Sequence, residues 1–261
     1  MRWSVDRGMV VRSFGDGIEL IWIHGLGEQS ASFDAVARHP ALAAYRHVLV
    51  DLPGYGRAPW PDRLPPGDSL AQAAELLAES IAARPSDDQN LPVLIGHSQG
   101  GVLATLVAER TAVRGIVNIE GNLTIGDCTF SAKGAAYSEA DFIDHGFAAM
   151  RDDVYRDGQI QRALRGYHAA LSMASPHVFH RNSVDLVAAA KRGDLGPRMV
   201  AAKCPTLYIA GIPNGICATS RQQLRDLGAR FVELEPSGHW PFIDQVDRFA
   251  TEVAEFVDSL G

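Results

Sequence analysis

The chain has 261 residues, 46% hydrophobic and 21% charged, and 24 Lys and Arg against 31 Asp and Glu give a formal charge of −7. These proportions are those of a globular chain with a full core and exclude a disordered or fibrous class, and the acidic balance argues against nucleic acid, which is bound through Lys and Arg at phosphates. No stretch reaches the ~18 apolar residues of a membrane span. The first residues, MRWSVDRGMVVRSFGDG, lack an apolar core of signal-peptide length, so a cytoplasmic protein without a membrane partner is expected. Cys128, Cys204 and Cys217 are odd in number and not spaced like metal ligands, which predicts free thiols in a reducing compartment, no metal and no cofactor.

In chain order, six apolar runs of strand length are bounded by turn residues: IELIWIHG, RHVLVDLPG, LPVLIGHS, VRGIVNIEG, PTLYIAG and RFVELEPSG. Near-continuous Val, Ile and Leu predicts strands covered on both faces, as in a parallel sheet. Helical patterns lie between them, among them SLAQAAELLAESIAAR and GGVLATLVAER, the latter with Leu103, Leu106 and Val107 on one face. The alternation gives an α/β fold with a mostly parallel central sheet flanked by helices. It breaks once: residues 122–199 read as helices and loops with no strand, too long for an ordinary connection. Residues 1–121 and 200–261 are therefore expected to form the core, and 122–199 an inserted helical cap.

Ligands meet an open α/β sheet at the carboxyl ends of its strands. Four such ends carry chemistry: HGLG, GHSQGG, EGN and SGHW. In GHSQGG a strand must turn sharply into a helix while holding Ser98 outward, and Gly96 and Gly100 leave room for the turn, so Ser98 is the candidate nucleophile. A serine hydroxyl needs a base within hydrogen-bonding reach. His239, in SGHW after the last strand, is the best placed of nine histidines. His97 adjoins the serine but should point elsewhere, His24 is expected to make a structural hydrogen bond, and His177 and His180 are expected on the cap surface rather than on a metal. The negative charge that builds on a carbonyl oxygen is stabilised by backbone N–H groups. The amides of Leu26 and Gln99 are the candidate donors of an oxyanion hole.

HGLG, DLPGYGRAPW, GHSQGG and SGHW, in this order and with a helical insertion after the fourth listed strand, resemble the α/β-hydrolase superfamily over essentially the whole chain. The resemblance implies Ser98 as nucleophile, His239 as base, and Leu26 and Gln99 as oxyanion donors. The family usually takes its acid from a Gly-x-x-Asp pattern after the strand PTLYIAG, but the chain has GIPN there, with Asn214 in the acid's place. Some dehalogenases and lactone hydrolases of the superfamily draw the acid from the end of the preceding core strand. That position reads VNIEGN and offers Glu120, whereas Asp244 is expected on the helix after His239.

A serine at the elbow separates the chain from the dehalogenases and epoxide hydrolases that use aspartate there, and leaves acyl chemistry. Phe142, Phe147, Met150, Tyr155, Tyr167, Met173 and Phe179 of the cap are apolar enough to line a pocket, or to pack the cap on the core. Phe142, Phe147, Met150, Tyr155 and Trp240 are the candidate substrate contacts. The expected activity is hydrolysis of a carboxylic ester or lactone of modest size, a small molecule, through an acyl-enzyme. SGHW also resembles the carbon–carbon bond hydrolases of ring-fission products, whose oxyanion loop is usually longer and richer in Ser and Gly. A lyase or ligand-binding member of the same fold stays open.

Overall fold

The computed structural model describes all of the chain except residues 63, 64, 66 and 85–90. The strands are β1 (Arg2–Asp6), β2 (Met9–Phe14), β3 (Glu19–Ile23), β4 (Arg46–Asp51), β5 (Val93–His97), β6 (Gly115–Ile119), β7 (Thr206–Asn214) and β8 (Phe231–Gly238). They form one sheet in the order β1-β2-β4-β3-β5-β6-β7-β8, antiparallel from β1 through β2 to β4 and parallel from there on. All six apolar runs of the sequence are strands β3 to β8. Leu20, Trp22, Ile23, Leu94, Ile95, Ile116, Val117 and Ile209 are fully buried, as strands covered on both faces require. The hairpin of β1 and β2 adds two strands that the apolar runs do not announce. Its turn, Arg7–Gly8, has positive φ at both residues (49° and 80°), which matches the right-handed strand twist.

Two helices pack on the sheet before the chain reaches β6: α1 (Ser69–Ala82), capped by the Asp68 carboxylate on the N–H groups of Leu70 and Ala71, and α2 (Gln99–Ala108). Every residue of α2 from Gln99 to Val107 is buried, so it is a core helix rather than the one-faced helix its pattern predicts. Between β6 and β7 the chain is helical: α3 (Phe130–Ala135), α4 (Glu139–Asp141), a π turn over Phe142–Gly146, α5 (Phe147–Gly158), α6 (Arg162–Leu171), α7 (Pro176–Arg192) and α8 (Leu195–Val200). α7 has the end signals of a long helix: Ser175 as cap, Pro176 in the first turn, and Gly193 at φ 71° just past its end. The insertion has an aromatic centre in which Phe142 stacks on Phe179 at 5.6 Å between ring centroids and meets Phe147 at 5.7 Å.

Both ends of this helical segment between β6 and β7 are tied to residues outside it. At its entry the Asp127 carboxylate accepts from the N–H groups of Leu123, Thr124 and Cys217 and from the Ser220 hydroxyl at 2.6 Å. At its exit Arg198 of α8 makes a two-pronged ion pair with Glu109, at 2.8 and 2.6 Å. The chain closes with α9 (Ala218–Asp226), α10 (Pro241–Asp244) and α11 (Val246–Asp258), whose Phe249, Ala250, Val253, Phe256 and Val257 form the buried stripe.

Two glycines separate tight packing from open space. A Cβ on Gly100 would lie 2.1 Å from the Ile23 carbonyl oxygen, whereas one on Gly166, exposed in α6, would meet nothing within 4 Å. Gly100→Ala is expected to cost about 3 kcal/mol or more through overpacking. Gly166→Ala should gain about 0.5–1 kcal/mol from helix propensity, and urea unfolding of the two variants checks both signs.

Candidate active site

Ser98 follows β5 directly, with φ 52° and ψ −119°, a conformation that an L-residue holds only when its surroundings impose it. The surroundings are visible. Its N–H donates to the Ile119 carbonyl at 2.8 Å, and a Cβ on Gly96 would lie 2.1 Å from the Gly100 oxygen, so strand and helix meet at a distance only glycine allows. Ser98 is 9% exposed and lines a cavity together with Gly25, Leu26, Glu28, His97, Asn122, His239 and Trp240.

His239 follows β8, and its Nδ1 is 3.3 Å from Oε2 of Glu120, which follows β6. Glu120 is 2% exposed and is itself held left-handed, at φ 51°. Its N–H donates to the Ile209 carbonyl at 3.1 Å and its Oε1 accepts from the Gly211 N–H at 2.6 Å. The loop behind it is fixed by Asn118, whose Oδ1 accepts from the Gly121 N–H at 2.9 Å, and by the Tyr208 hydroxyl, which donates to the Gly121 carbonyl at 2.9 Å. The two other acid positions are elsewhere. Asn214 is exposed at the end of β7, and the Asp244 carboxylate, on α10, accepts from the Gly238 N–H at 2.9 Å and the Ser237 hydroxyl at 3.3 Å.

Leu26 sits in the loop after β3, and Gln99 opens α2, where the first N–H groups have no partner inside the helix. His24 is fully buried, with Nδ1 2.8 Å from the Gly25 carbonyl and Nε2 accepting from the Leu52 N–H at 3.1 Å; burial pushes its pKa down. His97 turns both ring nitrogens to partners other than Ser98. Its Nδ1 is 2.9 Å from Glu28 Oε2 and its Nε2 is 2.7 Å from the His239 carbonyl oxygen. Glu28 also accepts from the Gly25 N–H at 2.8 Å and from Trp240 Nε1 at 2.5 Å. Burial alone would push Glu28 up, but the His97 charge and these hydrogen bonds outweigh it and hold the carboxyl at about 2. Burial likewise pushes His97 down, and the Glu28 carboxylate and the His239 carbonyl reverse it to a net rise. Glu28 escaped the sequence analysis; its one signal is its place three residues after Gly25.

The cavity measures about 20 Å³, space for roughly one water molecule. The helical segment between β6 and β7 contributes Phe130, Tyr167 and Leu186 to its wall, beside the polar Asn122, Asp127, Thr129 and Ser131. Of the candidate substrate contacts only Trp240 lines it. Phe142 and Phe147 are buried in the aromatic centre around Phe179, Met150 is buried outside the cavity, and Tyr155 is 56% exposed and rests on His168. An apolar residue type does not reveal which way a helix face turns, and here the face carrying Phe142 and Phe147 turns inward on Phe179. His177 is exposed beside Glu139, whereas His180, expected on the surface, is buried with Nε2 3.0 Å from the Tyr137 carbonyl. A wider groove of about 740 Å³ runs over His239 and Glu120 between Arg162, Asn214 and Asp244. Among the described residues no group of three His, Cys, Asp or Glu is placed to hold a metal, and no helix is long and apolar enough to cross a membrane.

A mostly parallel α/β sheet with serine, histidine and carboxylate at three of its strand ends defines a class, that of the hydrolases built on this sheet order. A family model described as the alpha/beta hydrolase family matches residues 20–252, and the chain belongs to that family. It is 25% identical over 261 aligned positions to the pimeloyl-[acyl-carrier protein] methyl ester esterase of Edwardsiella ictaluri, covering 92% of this chain and 93% of that protein. Two solved structures share the fold. The esterase EaEST of Exiguobacterium antarcticum is 18% identical with a TM-score of 0.74, covering 96% of this chain and 95% of its own. The enol-lactonase of Burkholderia xenovorans is 19% identical with a TM-score of 0.72, covering 98% and 100%.

The low pKa of Glu28 is also a statement about stability. A carboxyl held at about 2 against an ordinary value of 4.5 stabilises the fold above pH 4.5, and that contribution is lost as the pH falls towards 2. The stability difference between the parent and Glu28→Gln should therefore shrink as the pH is lowered through this window, which urea unfolding at stepped pH measures.

Proposed function

We propose that the protein hydrolyses a carboxylic ester or lactone of modest size through an acyl-enzyme on Ser98. The observation that carries this is one cavity lined by both Ser98, held at φ 52°, and His239, whose Nδ1 faces the buried Glu120 carboxylate at 3.3 Å. With Nδ1–H donated to Glu120, His239 presents Nε2 as a base. It takes the Ser98 proton as Oγ attacks the carbonyl carbon, and the resulting oxyanion is received by the N–H groups of Leu26 and Gln99. The intermediate collapses, the alcohol leaves with the proton from His239, and water repeats the sequence to release the acid. Glu120 stays ionised throughout and stabilises the imidazolium. Relatives named as a methyl ester esterase and an enol-lactonase support the substrate class.

The cavity at Ser98 is small, whereas the groove over His239 is wide and polar. The alcohol receives its proton from His239, so a short acyl group in the cavity and a larger alcohol towards the groove fit this division. The residues 122–199 act as a cap in this scheme, with Phe130, Tyr167 and Leu186 limiting the acyl group.

Ser98→Ala should lower turnover about a million-fold and abolish labelling by a fluorophosphonate, the scale of nucleophile loss in another serine enzyme. Glu120→Gln keeps the shape and removes the charge, and should cost about ten thousand-fold, while Asn214→Ala and Asp244→Asn stay within a few-fold. Loss of activity in Asn214→Ala instead would move the acid to β7. In a series of p-nitrophenyl esters, turnover should fall as the acyl chain lengthens, and Leu186→Ala should shift the optimum to longer chains. Faster cleavage of a ring-fission dienone acid than of any ester would replace ester hydrolysis by carbon–carbon bond cleavage.

A further inference from the structure

Glu28 and His97 take no part in the mechanism above, yet they lie 2% and 1% exposed against its centre. Burying a carboxylate and an imidazole costs desolvation that their attraction only offsets in good geometry, and such pairs are weak devices for stability alone. Their partners are therefore informative. The Glu28 carboxylate receives N–H groups from Gly25, His97 and Trp240, and His97 reaches the carbonyl of His239. Gly25 precedes Leu26, His97 precedes Ser98, and Trp240 follows His239. Every bonded partner of Glu28 is thus one residue from a group of the proposed reaction.

We propose that Glu28 and His97 form a buried carboxylate–imidazolium pair that fixes the oxyanion loop and the base against the nucleophile, making both positioning residues of the hydrolysis proposed above. The charge state follows from the geometry. Both ring nitrogens of His97 face oxygens that only accept, a carboxylate at 2.9 Å and a main-chain carbonyl at 2.7 Å. A neutral imidazole carries a single N–H and would leave one of these contacts without a proton. Both Glu28 oxygens in turn receive N–H donors. The His97 ring is also met by the His239 ring at 4.7 Å and the apolar faces of Phe242 at 5.0 Å and Trp240 at 6.0 Å, with the Glu120 carboxylate and the buried His24 ring beyond. The packing leaves no slack: a Cβ on Gly25 would come within 3.0 Å of Glu28 Oε2, 3.1 Å of His97 Nδ1 and 3.1 Å of Ser98 Cβ. Leu26, next in the chain, therefore takes its position from the pair.

The test uses the full chain labelled with ¹⁵N-histidine at pH 7.5, with the His97 signals assigned by their loss in His97→Asn. The expected spectrum has both His97 nitrogens protonated. A pyridine-like nitrogen at His97, with the shared proton on Glu28, overturns the charge pair. Glu28→Gln should lower kcat for a short p-nitrophenyl ester about a hundred-fold with KM within a few-fold, the scale of an ångström's misplacement, and should slow fluorophosphonate labelling in step. A folded Glu28→Gln protein with parental kcat, or one that loses only melting temperature, overturns the positioning role. If that variant does not fold, the nitrogen spectrum of the parent still decides the pair. A parent that neither labels at Ser98 nor turns over any ester overturns the hydrolase assignment on which the catalytic role rests, an outcome distinct from a dead Glu28→Gln beside an active parent.

Discussion

Two non-glycine residues in the left-handed region stand at neighbouring strand ends, Ser98 after β5 and Glu120 after β6, and the hydrogen bonds that hold them there continue the sheet. The Ser98 N–H donates to Ile119 and the Glu120 N–H to Ile209, so each strained residue is bonded to the next strand over. Such conformations cost on the order of 1–3 kcal/mol each and persist only where neighbouring structure over-determines them. Here the parallel ladder does so, and with it the direction of both side chains. His239, at the end of β8, completes the set only because Glu120 has been turned towards it.

The two histidine–carboxylate pairs differ in their access to water. His239 and Glu120 lie beside the groove, with the histidine side chain 20% exposed. His97 and Glu28 are sealed, with every hydrogen-bonding atom occupied by protein. A group that must give up and regain a proton in each turnover needs a route to substrate and solvent. A group that only holds its neighbours still is better without one, because water competing for its hydrogen bonds would loosen them.

The parts of the fold that were legible in the sequence are those in which chain direction and burial leave a local mark. Strands covered on both faces must be apolar throughout, and a sharp strand-to-helix turn must carry small residues on either side of its serine. Asn214 in GIPN and Glu120 in VNIEGN were equally plain, and a known alternative of the superfamily linked them. Three features left no such mark. The hairpin of β1 and β2 lies at the sheet edge, where β1 is exposed on both faces and Arg2, Ser4 and Asp6 interrupt the apolar pattern. The Glu28–His97–Trp240 contacts join residues 69 and 212 positions apart, a distance at which residue type is silent about pairing. The insertion has many aromatic residues on helices of unknown mutual rotation, so Phe142 and Tyr155 looked alike although one is central and the other on the surface.

The fastening of the insertion at Asp127 and at Arg198 decides where it can hinge. With the Asp127 carboxylate tied to the N–H groups of Leu123 and Thr124 and to the loop after β7, and Arg198 forked onto Glu109 of the core, neither end swings freely. Any movement that keeps these anchors must pivot between Thr129 and Gly193, and this stretch carries five of the seven residues that 122–199 contributes to the wall beside Ser98, among them Phe130, Tyr167 and Leu186. A movement of the stretch between the anchors would leave Glu120, five residues before the helical turn that begins at Ile125, in register with the sheet.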